Sequence, residues 1–319
     1  MNISSICYGI GALLYCPANN TKIADYVISE KFGNKYSLAL CLEDTIGDDF
    51  VGEAENILIE SLRKIFVKHT DSDFYLPKIF IRIRSYKQIE SIISRLSDAG
   101  SILTGFIFPK FCPENADKYI DTLMNVNEVY NLNLYMMPIL ESPAMINLKS
   151  RYDILYLLKE KLDNVKSNVL NIRVGGNDLC HIFGFRRHVT ESIHKIRPVS
   201  DIFSDIITIF GTDYVVSGPV WEYYNGDGWD TGLRNELIDD KLCGFIGKTV
   251  IHPKQIEVVN NAYKVPQSDV NDAKSILGWD KDSASYVSAN TSHSRMNEYK
   301  THSNWALRTL MLSEHYGII

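Results

Sequence analysis

Eight short apolar segments alternate with longer segments of helical apolar spacing, and this alternation constrains the fold more than any other feature. The predicted strands are 12–16, 38–42, 79–83, 105–109, 134–139, 169–174, 213–217 and 244–249. The predicted helices are 21–31, 51–69, 87–98, 114–130, 144–165, 199–210, 231–241 and 253–263. A helix between two strands favours a parallel pair, because a parallel crossover needs a dozen or more residues. Eight such units predict an α/β fold, a (β/α)₈ TIM barrel; an open doubly wound sheet is the alternative, since counting cannot detect closure.

The character of the sequence changes after residue 264. We therefore predict a barrel domain over residues 1–264 and a C-terminal helical extension over 265–319. The extension contains a predicted short helix (268–277), a polar stretch (280–294) typical of a mobile loop or hinge, and a terminal helix (296–315). The terminal helix either covers a neighbouring subunit's barrel mouth as a lid or packs on its own barrel, and the sequence does not decide between the two.

Composition excludes several classes of function. A net charge of −6 and a pI of about 5.8 disfavour binding to nucleic acid or to an anionic membrane. No apolar run approaches the roughly 20 residues of a membrane span, and the first residues make a poor signal peptide. The six cysteines show no C-x-x-C spacing, which argues against a zinc site and a disulfide framework. These features predict a cytoplasmic protein.

Polar residues follow the predicted strands at their C-terminal ends, where barrels of this type carry their chemistry. They include Asn19, Glu43, Asp44, Arg82, Arg84, Lys110, Glu141 and Asp178, and the same ends also carry Pro17, Gly175 and Gly176. The opposite strand ends show no such pattern. This asymmetry favours an enzyme over a folded scaffold.

Glu141 and Asp178 are the candidate metal ligands. They follow successive strands, whose ends are neighbours roughly 5 Å apart in a parallel pair. Two adjacent carboxylates repel unless a cation lies between them, and open positions for water and substrate suit Mg²⁺, or Mn²⁺, better than zinc. Gly175 and Gly176 allow close approach of a ligand. The alternative is that Glu141 caps a helix and Asp178 is a turn residue.

Arg82 shares one strand face with Phe80 and Arg84, because side chains alternate along a strand. A buried arginine needs an anionic partner, and a substrate carboxylate would bind it in a bidentate manner. The alternative is an ion pair with Glu43 or Asp44 of the neighbouring strand. The two interpretations are compatible, since such an ion pair can orient the arginine before it binds a substrate. Either acid could also act as a catalytic base, or be a loop acid.

Several motifs carry a family resemblance in the expected order. They are Leu13–Asn19, Leu42–Thr45, Ile81–Ile83, Phe108–Lys110, Leu140–Ser142, Gly176–Leu179 and Gly244–Ile256. The chain resembles the citrate lyase β-subunit branch of the HpcH/HpaI aldolase superfamily. The tail from Met296 to Trp305 is similar to a divergent group of these TIM-barrel lyases associated with tellurite-resistance and stress clusters.

The resemblance implies a Mg²⁺-dependent C–C bond lyase in which Glu141 and Asp178 ligate the ion. It also implies that Arg82 binds the carboxylate or enolate oxygen of the substrate. Other expected substrate-binding residues are Arg84, Lys110, Pro17, Asn19, Gly175 and Gly176, and the expected catalytic residues are Arg82, Glu43 and Asp44. The sequence departs from the family pattern at Cys41, at Arg84, at an additional Arg173 and at residues 186–188, and the added positive charge predicts a more anionic substrate.

The expected reaction is aldol- or Claisen-type cleavage or condensation, through a metal-stabilised enolate, of a 2-oxo or hydroxy acid or an acyl-CoA ester. Thioester hydrolysis and phosphate capture are alternatives within the superfamily. A non-catalytic barrel that binds a metabolite or a partner in a stress complex is the alternative of a different class. The resemblance also implies a homo-oligomer.

Overall fold

A barrel of parallel strands forms the centre of the computed structural model, which describes residues 3–280, 282 and 284–319. The barrel strands are β1 (Ala12–Pro17), β2 (Ser37–Cys41), β3 (Lys78–Arg82), β4 (Leu103–Phe108), β5 (Tyr135–Leu140), β6 (Ile172–Val174), β7 (Val216–Ser217) and β8 (Lys248–Val250). The strand order is β7-β6-β5-β4-β3-β2-β1-β8, and a parallel bridge between Gly218 and Lys248 joins the two ends. The predicted (β/α)₈ barrel is therefore confirmed.

Helices surround the barrel and continue into the extension. The α-helices are α1 (Ser5–Tyr8), α2 (Ile23–Ile28), α3 (Val51–Asp71), α4 (Lys87–Leu96), α5 (Pro113–Val129), α6 (Arg151–Asp163), α7 (Gly176–Phe183), α8 (Arg197–Phe210), α9 (Trp229–Cys243), α10 (Lys254–Ala262), α11 (Gln267–Leu277) and α12 (Tyr299–Tyr316). Turns of 3₁₀ helix lie at Asp48–Phe50, Ser97–Ile102, Pro143–Ile146, Lys166–Asn168 and Ile193–Lys195.

Burial on both faces explains why the strands have nearly continuous apolar sequences. All five residues of β2 are buried, as expected for a parallel strand covered by helices outside and by side chains inside. The outer helices contribute apolar stripes; in α4 the residues Ile89, Ile92, Ile93 and Leu96 are buried at helical spacing. Each such fully buried side chain stabilises the fold by about 1.5–3 kcal/mol.

Three elements between the end of β5 and the end of α7 differ from the sequence prediction. The predicted helix 144–165 is interrupted, because the Asn147 side chain accepts the Lys149 N–H at 3.0 Å and competes with the helix. Gly176–Phe183 forms a helix that was not among the predicted helices. The predicted strand 169–174 is shortened to Ile172–Val174, preceded by a single bridge from Val169 to Met136.

The extension packs at the end of the barrel where the strands begin. The Tyr316 hydroxyl donates to the Tyr8 carbonyl at 2.8 Å, and Val265 bridges Ile318. The predicted polar stretch contains a strand, β9 (Val287–Ala289), which pairs antiparallel with β10 (Met296–Glu298), where the terminal helix was predicted to begin. Residues 281 and 283 of that stretch lie outside the described residues. Among the described helices, none has the length and apolar character to cross a membrane.

Candidate active site

The carboxyl ends of the strands surround a cavity of about 330 Å³. Its lining includes Tyr15, Asp44, Arg82, Glu141, Arg173 and Asp178. A larger cavity, of about 490 Å³, lies at the opposite end of the barrel near Gly9 and Lys78. Barrels of this class carry their chemistry at the carboxyl ends of the strands, so the smaller cavity is the candidate active site.

Glu141 follows β5 and is almost fully buried at the cavity wall, with 3% of its surface exposed. Its Oε1 accepts the backbone N–H of Lys110 at 3.0 Å and lies 3.4 Å from Nη2 of Arg82. Its carboxyl group also shares a hydrogen bond with Asp178. Burial, opposed by Arg82 and reinforced by Asp178, raises the pKa of Glu141 to about 8.

The pairing of β5 with β6 explains why these two acids meet. Leu140 is in register with Val174, so the residues that follow both strands emerge side by side. Asp178 lies in the first turn of α7. A Cβ atom on Gly175 would lie 2.0 Å from Oε2 of Glu141, so the absence of a side chain there makes room for the buried carboxylate. The sequence correctly placed the two acids beside each other; their role in metal binding stays a prediction.

Arg82, the last residue of β3, connects three carboxylates through one nitrogen. Its Nη2 lies 2.7 Å from Glu43, 2.9 Å from Asp44 and 3.4 Å from Glu141. The ion pair with Glu43 and Asp44, which the sequence left as an alternative, is thus present. Arg82 Nε is nevertheless buried without a hydrogen-bond partner. An unsatisfied buried donor costs about 1–3 kcal/mol, which calls for an explanation such as a bound ligand.

Lys110 connects the acids after β2 with the acid after β5. Its backbone N–H binds Glu141, while its Nζ lies 2.6 Å from Glu43 Oε1 and 3.2 Å from Asp44 Oδ1. Its φ of 49° is in the left-handed region, which is uncommon for a residue other than glycine. Such strained backbone clusters at functional sites, where the surrounding contacts hold it in place.

The two acids after β2 have opposite pKa shifts. Burial, followed by the hydrogen bond with Asp44, raises the pKa of Glu43. Burial would also raise the pKa of Asp44, but its hydrogen bond with Glu43 and two neighbouring cations lower it to about 2. Asp44 is therefore ionised at neutral pH, and it lines the cavity, whereas Glu43 lies behind it between Arg82 and Lys110.

Of the other residues expected to bind substrate, some line the cavity and others do not. Gly175 and Gly176 line the cavity. Pro17 and Asn19 are exposed and do not line it. Arg84 lies beyond the end of β3, where the chain bends, so the strand alternation no longer directs its side chain into the barrel. Its guanidinium binds the carbonyls of Leu42, Glu43 and Ile46 instead, which corrects the expectation that it faces the substrate.

Two cavity residues, Tyr15 and Thr249, were not among the sequence candidates. Tyr15 lies inside β1, and its ring centroid is 5.9 Å from Cζ of Arg82. Thr249 lies in β8 and accepts a hydrogen bond from Arg173 at 2.6 Å. The available signal was alternation, because Leu13, Tyr15 and Pro17 share one face, but alternation alone does not tell which face points inward.

The protein offers few ligands for a metal ion. Over residues 3–280, 282 and 284–319, His, Cys, Asp and Glu do not form a group of three or more that could hold one. Glu141 and Asp178 supply a pair of carboxylates. This donor set fits Mg²⁺, which keeps several waters and takes one or two carboxylates plus substrate oxygens, and it does not fit a closed zinc site.

Comparison with known proteins places the chain in a family. A family model described as C–C bond lyases of the TIM-barrel fold matches residues 4–318. The chain belongs to this family, which confirms the predicted enzyme class, a lyase of carbon–carbon bonds. A search of curated proteins finds no match to the chain.

Solved structures with the same fold include citrate lyase β-subunit proteins of Mycobacterium tuberculosis. One, a complex with oxaloacetate and magnesium, is 18% identical with a TM-score of 0.53, covering 82% of this chain and 99% of that chain. Another, with magnesium, acetoacetate and coenzyme A, is 16% identical with a TM-score of 0.59, covering 98% and 99%. RipC from Yersinia pestis is 16% identical with a TM-score of 0.52, covering 80% and 95%. At these identities the likeness establishes the shared fold.

Proposed function

We propose that this lyase uses Mg²⁺ to cleave or form a C–C bond next to a carbonyl group in a small anionic substrate. The substrate class is a 2-oxo or hydroxy acid or an acyl-CoA ester. The observation that carries the proposal is the pairing of buried Glu141 with half-buried Asp178, beside Arg82, in a cavity at the catalytic end of the barrel. The complexes of the M. tuberculosis proteins with magnesium and oxaloacetate, or with magnesium, acetoacetate and coenzyme A, support this choice.

Glu141 and Asp178 would hold the ion, with Mn²⁺ as a substitute. Burial, and to a smaller extent the neighbouring Asp178, raises the pKa of Glu141, so this carboxylate would be stabilised by a cation bound at its oxygens. When bound, Mg²⁺ supplies Lewis acidity that polarises a carbonyl and stabilises the negative charge of an enolate. Gly175 makes room for the Glu141 carboxylate, since a Cβ there would overlap it, whereas Gly176 makes room for the side chains of Ile193 and Pro219.

Arg82 would bind the substrate carboxylate. Its Nη2 is occupied by acids of the protein, but its Nε has no partner and can donate to an incoming anion. The ion pairs with Glu43 and Asp44 hold the guanidinium in position before the substrate arrives. Lys110 would add positive charge at the rim of the cavity, since its side chain is half exposed.

Asp44 would accept the proton of a substrate hydroxyl, because it lines the cavity and geometry comes before pKa in choosing a base. When Arg82 binds a substrate carboxylate, its positive charge is shared between that carboxylate and Asp44. The pKa of Asp44 then rises, which makes Asp44 a stronger base. Glu43 would act as a positioning residue that holds both Arg82 and Lys110. Arg84 would hold the loop that carries these acids through its bonds to the carbonyls of that loop.

The direct test is to measure products from a panel of hydroxy acids, 2-oxo acids and acyl-CoA esters, with Mg²⁺ and with EDTA. We expect release of pyruvate, oxaloacetate, glyoxylate or acetyl-CoA that stops when the metal is removed. Release of free CoA without a C–C bond cleaved would instead assign thioester hydrolysis. Phosphorylated product formed in the presence of ATP would assign phosphate capture.

A non-catalytic barrel is the second candidate, and one observation favours it: Arg82 is already ion-paired with Glu43. In such a protein the pair would be permanent, and an added 2-oxo acid would not compete for the guanidinium. Calorimetry separates the two. Binding of pyruvate that depends on Arg82 supports the enzyme, and no binding of any member of the panel supports the non-catalytic barrel.

We also propose that residues 265–319 make contacts in a homo-oligomer, either as a lid or as an interface. In this chain the cavity lining comes from the barrel, and α12 packs at the opposite end, which leaves its outer face for a neighbour. Light scattering of the full chain tests the oligomer. A cytoplasmic location is consistent with the free state of the six cysteines.

A further inference from the structure

Arg173 is a buried cation that the proposed reaction does not use. It lies in β6 with 2% of its surface exposed and lines the same cavity as Glu141 and Asp178. Its guanidinium donates to Thr249 Oγ1 at 2.6 Å and to Asn171 Oδ1 at 3.4 Å, and it hydrogen-bonds the Tyr15 hydroxyl. In the described part of the chain it forms no ion pair with a carboxylate. All of its protein partners are neutral.

An arginine in this position is costly for the fold. Burying a charge without an opposite charge forfeits its hydration, and neutral hydroxyl and amide partners restore only part of that loss. Arg187, another basic residue at which the sequence departs from the family pattern, is also buried but has an anionic partner. It lies 3.5 Å from the buried carboxylate of Glu236. The unmatched charge of Arg173 therefore points to an anion supplied from the cavity.

We propose that Arg173, Tyr15 and Thr249 form a second anion subsite, which binds the distal carboxylate of a dicarboxylic 2-oxo or 2-hydroxy acid. The proposal deepens the proposed function and rests on it. One guanidinium flanked by two hydroxyl groups offers a single positive charge with planar donors, which matches a carboxylate better than a phosphate dianion. The substrate of this lyase is accordingly a dianion.

The placement of the subsite agrees with a substrate held at both ends. Tyr15 contacts both arginines: its ring lies 5.9 Å from Cζ of Arg82, and its hydroxyl bonds Arg173. Arg82 is thus placed to bind the carboxylate beside the reacting carbonyl, while Arg173 lies at the hydroxyl end of Tyr15. Glu141 and Arg173 belong to neighbouring strands, since Ile139 is in register with Arg173. Both groups therefore face one small cavity, of about 330 Å³.

The test compares matched acids that differ by one carboxylate. Calorimetry with Mg²⁺ would measure the affinity for oxaloacetate against pyruvate and for 2-oxoglutarate against 2-oxobutyrate. We expect the wild type to bind the diacid of at least one pair about 10–100-fold more tightly, the range of a charge-assisted hydrogen bond. Arg173→Met should abolish this preference while leaving the affinity for the monoacid within twofold. Thr249→Val should reduce the preference to an intermediate value.

Arg308→Met is the matched control, because Arg308 is a partly buried arginine that donates to the Gly244 carbonyl, away from the cavity. It should retain the diacid preference. Equal affinities of the wild type for both members of both pairs would overturn the proposal. So would an equal loss of diacid and monoacid binding in Arg173→Met. Tighter binding of 3-phosphonopyruvate than of oxaloacetate, dependent on Arg173, would overturn the assignment to a carboxylate.

Two further measurements keep the result interpretable. The unfolding midpoint of Arg173→Met should equal or exceed that of the wild type, because the variant removes an unpaired buried charge; a lower midpoint would indicate a structural arginine and overturn the proposal. If that variant does not fold, Thr249→Val alone decides. The diacid preference measured in EDTA tests the subsite without the metal, so a failure of Mg²⁺ binding remains distinguishable from a failure of the subsite.

Discussion

Two clusters of charged residues in this barrel both combine Asp and Glu with Arg and Lys, and they differ in their surroundings. The mouth cluster consists of Glu43, Asp44, Arg82, Lys110, Glu141 and Asp178. The back cluster, between β8 and the helices behind it, consists of Arg187, His194, Glu236, Asp240 and Lys248. The mouth cluster borders a cavity, whereas the back cluster is enclosed.

The back cluster pairs its charges internally, although Nε and Nη1 of Arg187 and Nδ1 of His194 are buried without a hydrogen-bond partner. Lys248 Nζ lies 2.9 Å from Glu236 and 2.7 Å from Asp240, and all three side chains are fully buried. Burial would raise the pKa of Asp240, but Lys248 and a hydrogen bond from His194 lower it. Its carboxylates and cations are matched, with Arg187 as the second cation.

The mouth cluster is not matched in this way. Four carboxyl groups face two cations, Arg82 and Lys110, and the pKa of Glu141 is raised to about 8 in consequence of burial and its acidic neighbour. The comparison teaches that buried charge alone does not identify a functional site. A sealed and balanced cluster stabilises the fold, whereas an open and unbalanced one is suited to bind an ion and a substrate.

Removing the buried lysine of the back cluster should cause a large loss of folding stability. Lys248→Met leaves Glu236 and Asp240 without their shared cation, and breaking a buried pair of this kind costs about 3–5 kcal/mol. Chemical denaturation would measure the free energy of unfolding. The control Lys64→Met removes an exposed pair with Asp25 and should cost no more than about 1 kcal/mol. A loss in Lys248→Met as small as in the control would contradict the structural role of the back cluster.

Arg82→Met tests the mouth cluster by activity. Removing a preorganised donor at the reacting group should lower turnover about 100–1000-fold, because the charge that develops loses its stabilising partner. Turnover of the substrate found by the product panel and calorimetric affinity for pyruvate would be compared. Arg95→Met, which removes an ion pair on the outer helices, is the control. Full turnover in Arg82→Met would remove Arg82 from the mechanism.

Gly175→Ala sharpens the comparison by moving one carboxylate. The new Cβ would lie 2.0 Å from Glu141 Oε2, so Glu141 must shift, and Mg²⁺ affinity should fall about 10–100-fold. The matched variant Gly52→Ala places a methyl group in open space on α3 and should raise stability by about 0.4–1 kcal/mol. Unchanged Mg²⁺ affinity in Gly175→Ala would indicate that the ion does not use Glu141.

The smallest expected effect is a pH dependence confined to the mouth cluster. Because the pKa of Glu141 is raised to about 8 in the metal-free protein, this carboxyl group is protonated at neutral pH and must lose its proton to bind Mg²⁺. Mg²⁺ affinity should therefore rise with pH by up to about tenfold per unit below pH 8 and then level off. Calorimetry in buffers of different ionisation enthalpy would count the released protons. Affinity that is flat from pH 6 to 8 would contradict this.

The sequence predicted the barrel because eight apolar runs repeat with helices between them, and it predicted the adjacency of Glu141 and Asp178 because successive parallel strands end side by side. It did not predict the bend after Arg82 that turns Arg84 toward backbone carbonyls, since such a bend has no periodic signal. It also missed the back cluster. Glu236 and Asp240 lie four residues apart on α9, a spacing that usually marks a solvent-exposed face.

The motif at 244–256 also shows that a sequence pattern does not tell which residues line the cavity. It is one of the motifs that carry the family resemblance, yet Lys248 belongs to the back cluster, and Gln255 donates to the carbonyls of Trp221 and Tyr223. His252, in the same motif, stacks on Tyr224 with ring centroids 4.7 Å apart. A resemblance locates residues that a fold needs, but contacts decide which of them face a substrate.

A Mg²⁺ titration of the metal-free protein measures whether Glu141 and Asp178 hold the ion. We expect one ion per chain in the wild type and a loss of affinity greater than about 100-fold in both Glu141→Gln and Asp178→Asn, because even outer-shell partners cost about 10–100-fold. Asp25→Asn, in an exposed ion pair outside the cavity, should bind as the wild type does. Equal Mg²⁺ affinity in all four proteins would contradict the account.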